Sequence, residues 1–187
     1  MNTSRLEAFS DGVIAIIITI TVLGIRVPTS ASFTALASLF PSLLIYAWSF
    51  RTIATYWNNH HNLIKATNGV NTRVMWANMH FLFWLSLIPF ATTWLGTNVG
   101  KPWPTATYSF VLLFAAIAYT MLERAIIKRQ GKNSNLTMAL GNDIKGLISL
   151  GCYVLAVLMA FIIPWISYIL IVLVAAVWFI PDRLVIK

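Results

Sequence analysis

The chain has 187 residues, 59% of them hydrophobic and only 10% charged, with a mean hydropathy of +0.79 and a formal net charge of +8 at pH 7. Such a composition excludes a soluble domain of this length and points to an all-α integral membrane protein. Soluble nucleic-acid binding, which the charge alone would suggest, is set aside because the basic residues sit between apolar runs, where membrane topology calls for them.

The first apolar helix is the one the others are expected to surround. It opens Arg5-Leu6-Glu7-Ala8-Phe9-Ser10-Asp11-Gly12, continues over 13–25 and is closed by Arg26. Its charge-free run of about 14 residues spans roughly 21 Å, against a hydrocarbon core of about 30 Å. A run that short sits better among protein or water than in lipid, so the helix is expected to line a pore. At helical spacing Gly12, Ile16, Ile20, Leu23 and Val27 share one stripe, with Thr19 beside it; Asp11, Ala15, Ile18 and Val22 share a neighbouring one. A branched aliphatic stripe most often serves packing. Repeated around an axis, however, Ile16, Ile20 and Leu23 would form narrow apolar rings of the kind that gate by dewetting. Glu7 and Asp11 interrupt what would otherwise pass for a signal peptide, and the segment is read as retained.

Val27-Pro28-Thr29-Ser30 forms the next turn, and Ser32 can cap a second helix reaching about residue 64. Pro41 interrupts it: either the helix kinks there, or a short segment over 33–40 precedes a true start at Pro41. The Asn68-Gly69 pair marks a turn before a third span over 74–95, which carries Pro89 as a kink. A fourth span over 105–127 ends in Arg124, Lys128, Arg129 and Lys132, with a polar loop over 131–135. The fifth covers 147–163, and Pro164 separates it from the sixth over 165–180. The count is six spans in one domain over 1–187, or five if Pro164 only kinks one long helix. Cys152 lies inside the fifth span and has no internal disulfide partner.

With six spans, ten cations (Arg5, Lys65, Arg73, Arg124, Lys128, Arg129, Lys132, Lys145, Arg183 and Lys187) fall on one side and two, Arg26 and Lys101, on the other. The positive-inside rule then places both termini in the cytoplasm and the chain in the cell membrane. Five spans would send Arg183 and Lys187 outside and fit less well. No internal repeat relates the two halves, so an inverted-repeat transporter design is not indicated.

Asp11 lies near the cytoplasmic end of the first helix. At a similar depth stand Arg51, Tyr56, Trp57, His60 and His61 on the second helix and Asn78 and His80 on the third. Ionisable groups in hydrocarbon are costly unless paired, so these are expected to meet in a polar layer, with Phe9 packed beneath them. The bland reading is hydrogen-bonded glue that fixes helix register. The sharper one is a layer that orients the first helix or responds to protons through His60, His61 or His80. Adjacent histidines on a helix point about 100° apart, so His60 and His61 do not suit one compact site, and no metal site is expected. Glu7 and Asp11, four apart at a helix N-terminus, either complement its dipole or form a cation-attracting vestibule. They have no nucleophile or metal to work with, and no Gly-rich phosphate loop, GxSxG or TVGYG segment occurs, so neither an enzyme, a cofactor nor a pore-loop filter is indicated. The eight tryptophans lie mostly near span ends, as interfacial anchors.

The segment Arg5-x-x-x-Phe9-Ser10-Asp11 resembles the first-helix signature of the prokaryotic branch of the lysosomal potassium channel family, transmembrane protein 175. Tyr46-x-x-Ser49-Phe50, Trp57-x-x-His60-His61 and Leu87-x-Pro89-Phe90-x-Thr92 are similar to that family's second and third helices. The resemblance implies a six-span subunit, a homotetramer in membrane lipid, and a cation pore lined by the first helix. Five residues past the signature aspartate it places the hydrophobic constriction on Ile16, with Ile20 and Leu23 following. A selectivity hydroxyl of some members falls on Ala15 here, and Thr19, one turn on, is the substitute candidate. By the same resemblance Arg5, Ser10 and Asp11 support the pore helix.

The expectation is therefore a homotetrameric, potassium-preferring leak-type channel. Its alternatives are a proton-coupled transporter relaying through Asp11 with His60 or His80, a membrane-embedded enzyme, and a purely structural subunit.

Overall fold

The computed structural model describes residues 3–67, 69–130 and 144–178. Every element among them is helical: α1 (Thr3–Leu23), α2 (Phe33–Ala37), α3 (Phe40–Lys65), α4 (Thr72–Ser86), α5 (Ile88–Thr97), α6 (Pro102–Gln130), α7 (Ile144–Met159) and α8 (Pro164–Val177). Three stretches are long and apolar enough to cross a membrane: α1, α4 continued by α5, and α6. The 26-residue α3 matches them in length but carries Arg51, Asn58, Asn59, His60 and His61, while α7 and α8 are apolar but shorter. Lys132 and the loop over 131–135, Asn68, and the end of the last span with Arg183 and Lys187 lie outside the described residues.

Prolines set the breaks. Ser32 caps α2 by accepting from the Ala35 amide at 3.2 Å, and α3 then starts afresh at Phe40 with Pro41 in its first turn. Of the two readings of Pro41, a new start rather than a kink is the one formed, because proline lacks only an amide hydrogen that the first turn leaves unbonded anyway. Pro89 interrupts its span as expected without ending it: α4 ends at Ser86 and α5 begins at Ile88, the two together making one crossing-length stretch. At Pro164 the chain reverses. Ser167 Oγ donates to the Ala156 carbonyl at 2.6 Å, and Trp178 Nε1 donates to Ser149 Oγ at 3.0 Å, so α7 and α8 are two antiparallel rods and not one bent helix.

The centre of the protomer belongs to α6, which packs against α4, α5, α7 and α8. Ala115 and Ala118 are fully buried on it, small enough to let neighbouring backbones approach closely. Tyr119 joins Tyr56 and Phe81 in an aromatic cluster with centroids 5.4 to 5.8 Å apart. Within a single protomer the first helix is not the one the others surround. It lies against α3, α4 and α5 at one edge, and only 28% of its apolar window is buried, against 56% for α6. At its C-terminal end Gly24 abuts the Thr93 side chain of α5, where a Cβ would collide with the hydroxyl.

Candidate permeation helix

Burial divides α1 cleanly. Leu6, Ser10, Ile14, Ile17 and Thr21 face the protein, at steps of four, four, three and four that trace one helical stripe. The two hydroxyls in that stripe are satisfied within the helix, Ser10 donating to the Leu6 carbonyl at 2.8 Å and Thr21 to that of Ile17 at 2.6 Å. The other face is uncovered: Ile16 is 58% exposed, Ile20 49% and Leu23 79%. These three line an open concavity of about 760 Å³ together with Pro89 and Phe90 of α5. Thr19 is exposed beside them, and its hydroxyl lies 2.9 Å from the Ile16 carbonyl and 3.2 Å from that of Ala15.

A buried polar chain holds this orientation. Asn78 Nδ2 donates to Ser10 Oγ at 2.9 Å, and Asn78 Oδ1 lies 2.7 Å from His60 Nε2. An amide oxygen only accepts, so the histidine proton is on Nε2, and Nδ1 is buried without a partner among the described residues. Ser10, His60 and Asn78 are all fully buried, and His60 stacks on Phe81. His61 turns elsewhere, as the 100° between neighbours requires. Its Nδ1 lies 2.9 Å from Glu7 Oε1, its ring stacks on Trp57, and Trp57 Nε1 donates to Asp11 Oδ1 at 2.9 Å. Donor atoms of Glu7, Asp11 and His61 come within 4.8 Å of one another, close enough to hold a cation. Each already has a partner in the structure.

Other residues expected in this layer stand apart. His80 is exposed on α4, edge-on to Trp84, because two residues past Asn78 is roughly 200° around the helix. Arg51 donates to the Ala175 carbonyl of α8 at 3.2 Å and lies over the Trp48 ring. Tyr56 belongs to the aromatic cluster. Phe9 is 52% exposed and does not pack beneath the layer, and Arg5 is exposed as well. Two features have no counterpart in the spacing argument. Thr92 donates to Ser49, whose hydroxyl meets Tyr108 at 2.9 Å, a buried link from α5 through α3 to α6. Glu123 is buried on α6; an acid inside an apolar span was the available signal.

The segment from the first charged residue of α1 to the start of α5 thus contains the uncovered stripe and every member of the two polar clusters. A sequence model described as the endosomal/lysosomal potassium channel TMEM175 matches residues 5–89, that same segment. A potassium channel of Chryseobacterium sp. (strain P1-3) is 48% identical over 183 residues, covering 98% of this chain and 95% of that relative. The chain belongs to the TMEM175 family. A potassium channel of Chamaesiphon minutus (strain ATCC 27169 / PCC 6605) is 34% identical over 130 residues, 65% of this chain and 64% of that relative. The crystal structure of a lysosomal potassium-selective channel TMEM175 homolog from Chamaesiphon minutus matches the fold with a TM-score of 0.81 at 28% identity, covering 94% of this chain and 95% of that one.

TMEM175 is a family of potassium channels and not of enzymes, and its apolar helices make the chain a multi-pass membrane protein. The proton-coupled transporter is not favoured by these relatives.

Proposed function

We propose that the chain is the subunit of a homotetrameric, potassium-preferring leak-type cation channel of the cell membrane, with six crossings and both termini cytoplasmic. The observation that carries this is the uncovered apolar face of α1. Lipid would satisfy an apolar face by itself; what favours a pore is that Ile16, Ile20 and Leu23 stand at one-turn steps beside an open concavity, on a charge-free run shorter than the hydrocarbon core. Four copies around an axis would turn these residues into successive apolar rings, and a pore this narrow and this apolar resists wetting. The relatives' names as potassium channels support potassium as the permeant ion.

Selectivity comes from oxygens, and the stripe offers few. The Thr19 hydroxyl spends its hydrogen on the helix backbone, which leaves lone pairs available to a passing cation. One ring of hydroxyls discriminates modestly, since replacing a hydration shell takes several carbonyl-like ligands. Arg5, Ser10 and Asp11 act as supports for this helix. No resident cofactor enters the scheme.

The test is cation flux from the purified chain in liposomes under potassium, sodium and caesium gradients, with Ile16→Asn alongside. Potassium-favouring flux that rises in the variant is expected. Lowering the wetting barrier by about 1.4 kcal/mol corresponds to tenfold. An unchanged flux in Ile16→Asn removes Ile16 from the barrier, and no flux in either protein overturns the channel assignment.

A further inference from the structure

A second surface, away from α1, carries the opposite chemistry. The start of α4 and the end of α6 run antiparallel and enclose a concavity of about 460 Å³ lined by Arg73, Trp76, His80, Met121, Arg124 and Lys128, with Ala77 and Ala125 between them. All six named residues are exposed. Among the described residues none of the three cations makes a hydrogen bond or ion pair, and Glu123, the acid adjacent in sequence, is buried on α6.

The groove is layered along the helix axes. Arg73 and Lys128 stand at its outer end, Trp76 and Arg124 follow one turn in, and His80 and Met121 close the inner end. Over about two turns, roughly 11 Å, the permanent charges give way to Met121 and the two alanines, with the His80 ring at the inner edge. The bias of cations toward one membrane face explains why basic residues flank these helices, but not why three of them from two helices converge on one concavity. Arg73 is locally unfavourable as well. It stands in the first turn of α4, next to the Asn71 cap, where the helix dipole repels a cation. An anion bound between Arg73, Arg124 and Lys128 offsets both costs.

We infer that this groove binds the phosphate headgroup of an anionic phospholipid, with the acyl chain lying over Met121, Ala77 and Ala125. A membrane supplies such a ligand at the depth where cations at helix ends meet the lipid surface, and basic pockets between spanning helices recognise it by charge. Trp76, 67% exposed, supplies the amphipathic ring suited to that boundary. The inference needs only that the chain spans the membrane, so its test uses no current and stands or falls apart from the channel reading.

The experiment places the full 187-residue chain in vesicles of phosphatidylcholine alone or equimolar with phosphatidylglycerol, each lipid in turn carrying brominated acyl chains. Quenching of Trp76 is isolated by difference against Trp76→Phe. Brominated phosphatidylglycerol is expected to quench Trp76 more than brominated phosphatidylcholine does, and Arg124→Gln with Lys128→Gln to remove the preference. Each neutralised cation weakens the association roughly five-fold. Equal quenching by the two lipids overturns the proposal. Trp76 shielded from both lipids makes the groove an interface between copies, and thermal stabilisation by inorganic phosphate in detergent without lipid preference makes it a free-anion site; either result also overturns it. If the double variant does not assemble, the unaltered chain still decides, because the preference for phosphatidylglycerol must collapse at high salt.

Discussion

The two faces of α1 are built from nearly the same side chains and meet opposite surroundings. Ile14 and Ile17 are 1% and 4% exposed, whereas Ile16 and Ile20 are 58% and 49% exposed. Hydropathy does not separate them. What separates them is the polar residue in line with each: Ser10 shares the stripe of Ile14 and Ile17 and is held by Asn78, while Gly12 precedes Ile16 and offers nothing to hold. The helix is oriented by its polar anchor, and the uncovered face follows from that. On this helix, which apolar stripe is buried and which is left uncovered therefore follows from what its neighbours hydrogen-bond to.

The sharpest way to break this comparison is to truncate one isoleucine on each face. Ile14→Ala removes a buried side chain and is expected to cost about 2 kcal/mol or more, toward the lower end of core truncations because lipid is the alternative surrounding. Ile16→Ala takes away exposed methyl groups and should stay within about 0.5 kcal/mol. Detergent-titrated loss of helicity in the two variants measures both. Equal losses would place Ile16 in a packed interface and not at a pore surface.

The second test cuts the anchor itself. Asn78→Ala leaves the buried His60 Nε2–H without an acceptor and removes the donor to Ser10, with an expected loss of about 2 kcal/mol. His80→Ala, on the exposed face of the same helix, should change stability little. If the two variants melted alike, the chain from Ser10 to His60 would not be what orients α1.

That contrast marks how far the sequence could be read. Helix positions, the reversal at the proline turns and the stripe of Ile16, Ile20 and Leu23 all follow from spacing and from residues that break helices. The polar layer was legible by depth but not by direction. His60 and His80 lie at similar heights, yet only His60 meets Asn78: His80 is turned away by its offset of roughly 200° from Asn78 on α4, whereas which faces of α3 and α4 turn inward is set by how the helices pack together, which no local pattern encodes. For the same reason α6, not α1, occupies the protomer centre. The Ser49, Thr92 and Tyr108 link depends on three helices meeting, and Tyr108 carries no local signal.

The smallest effect belongs to the half-exposed cluster and bears on whether it supports or conducts. Asp11 accepts from Trp57, itself 41% exposed, so water competes for the bond and its loss in Asp11→Ala should cost about 1 kcal/mol or less. Asp11→Asn keeps the accepting oxygen and is expected to recover most of that loss, since the geometry survives without the charge. Both variants should lower the yield of assembled protein before they alter the potassium-to-sodium flux ratio, because the aspartate is engaged by α3. The measurement pairs size-exclusion yield with the liposome flux ratio. A fully assembled Asp11→Asn protein with a changed ratio would show that the charge itself acts on the permeating ion, and would move Asp11, together with Glu7 and His61 beside it, from the frame of the pore helix to its mouth.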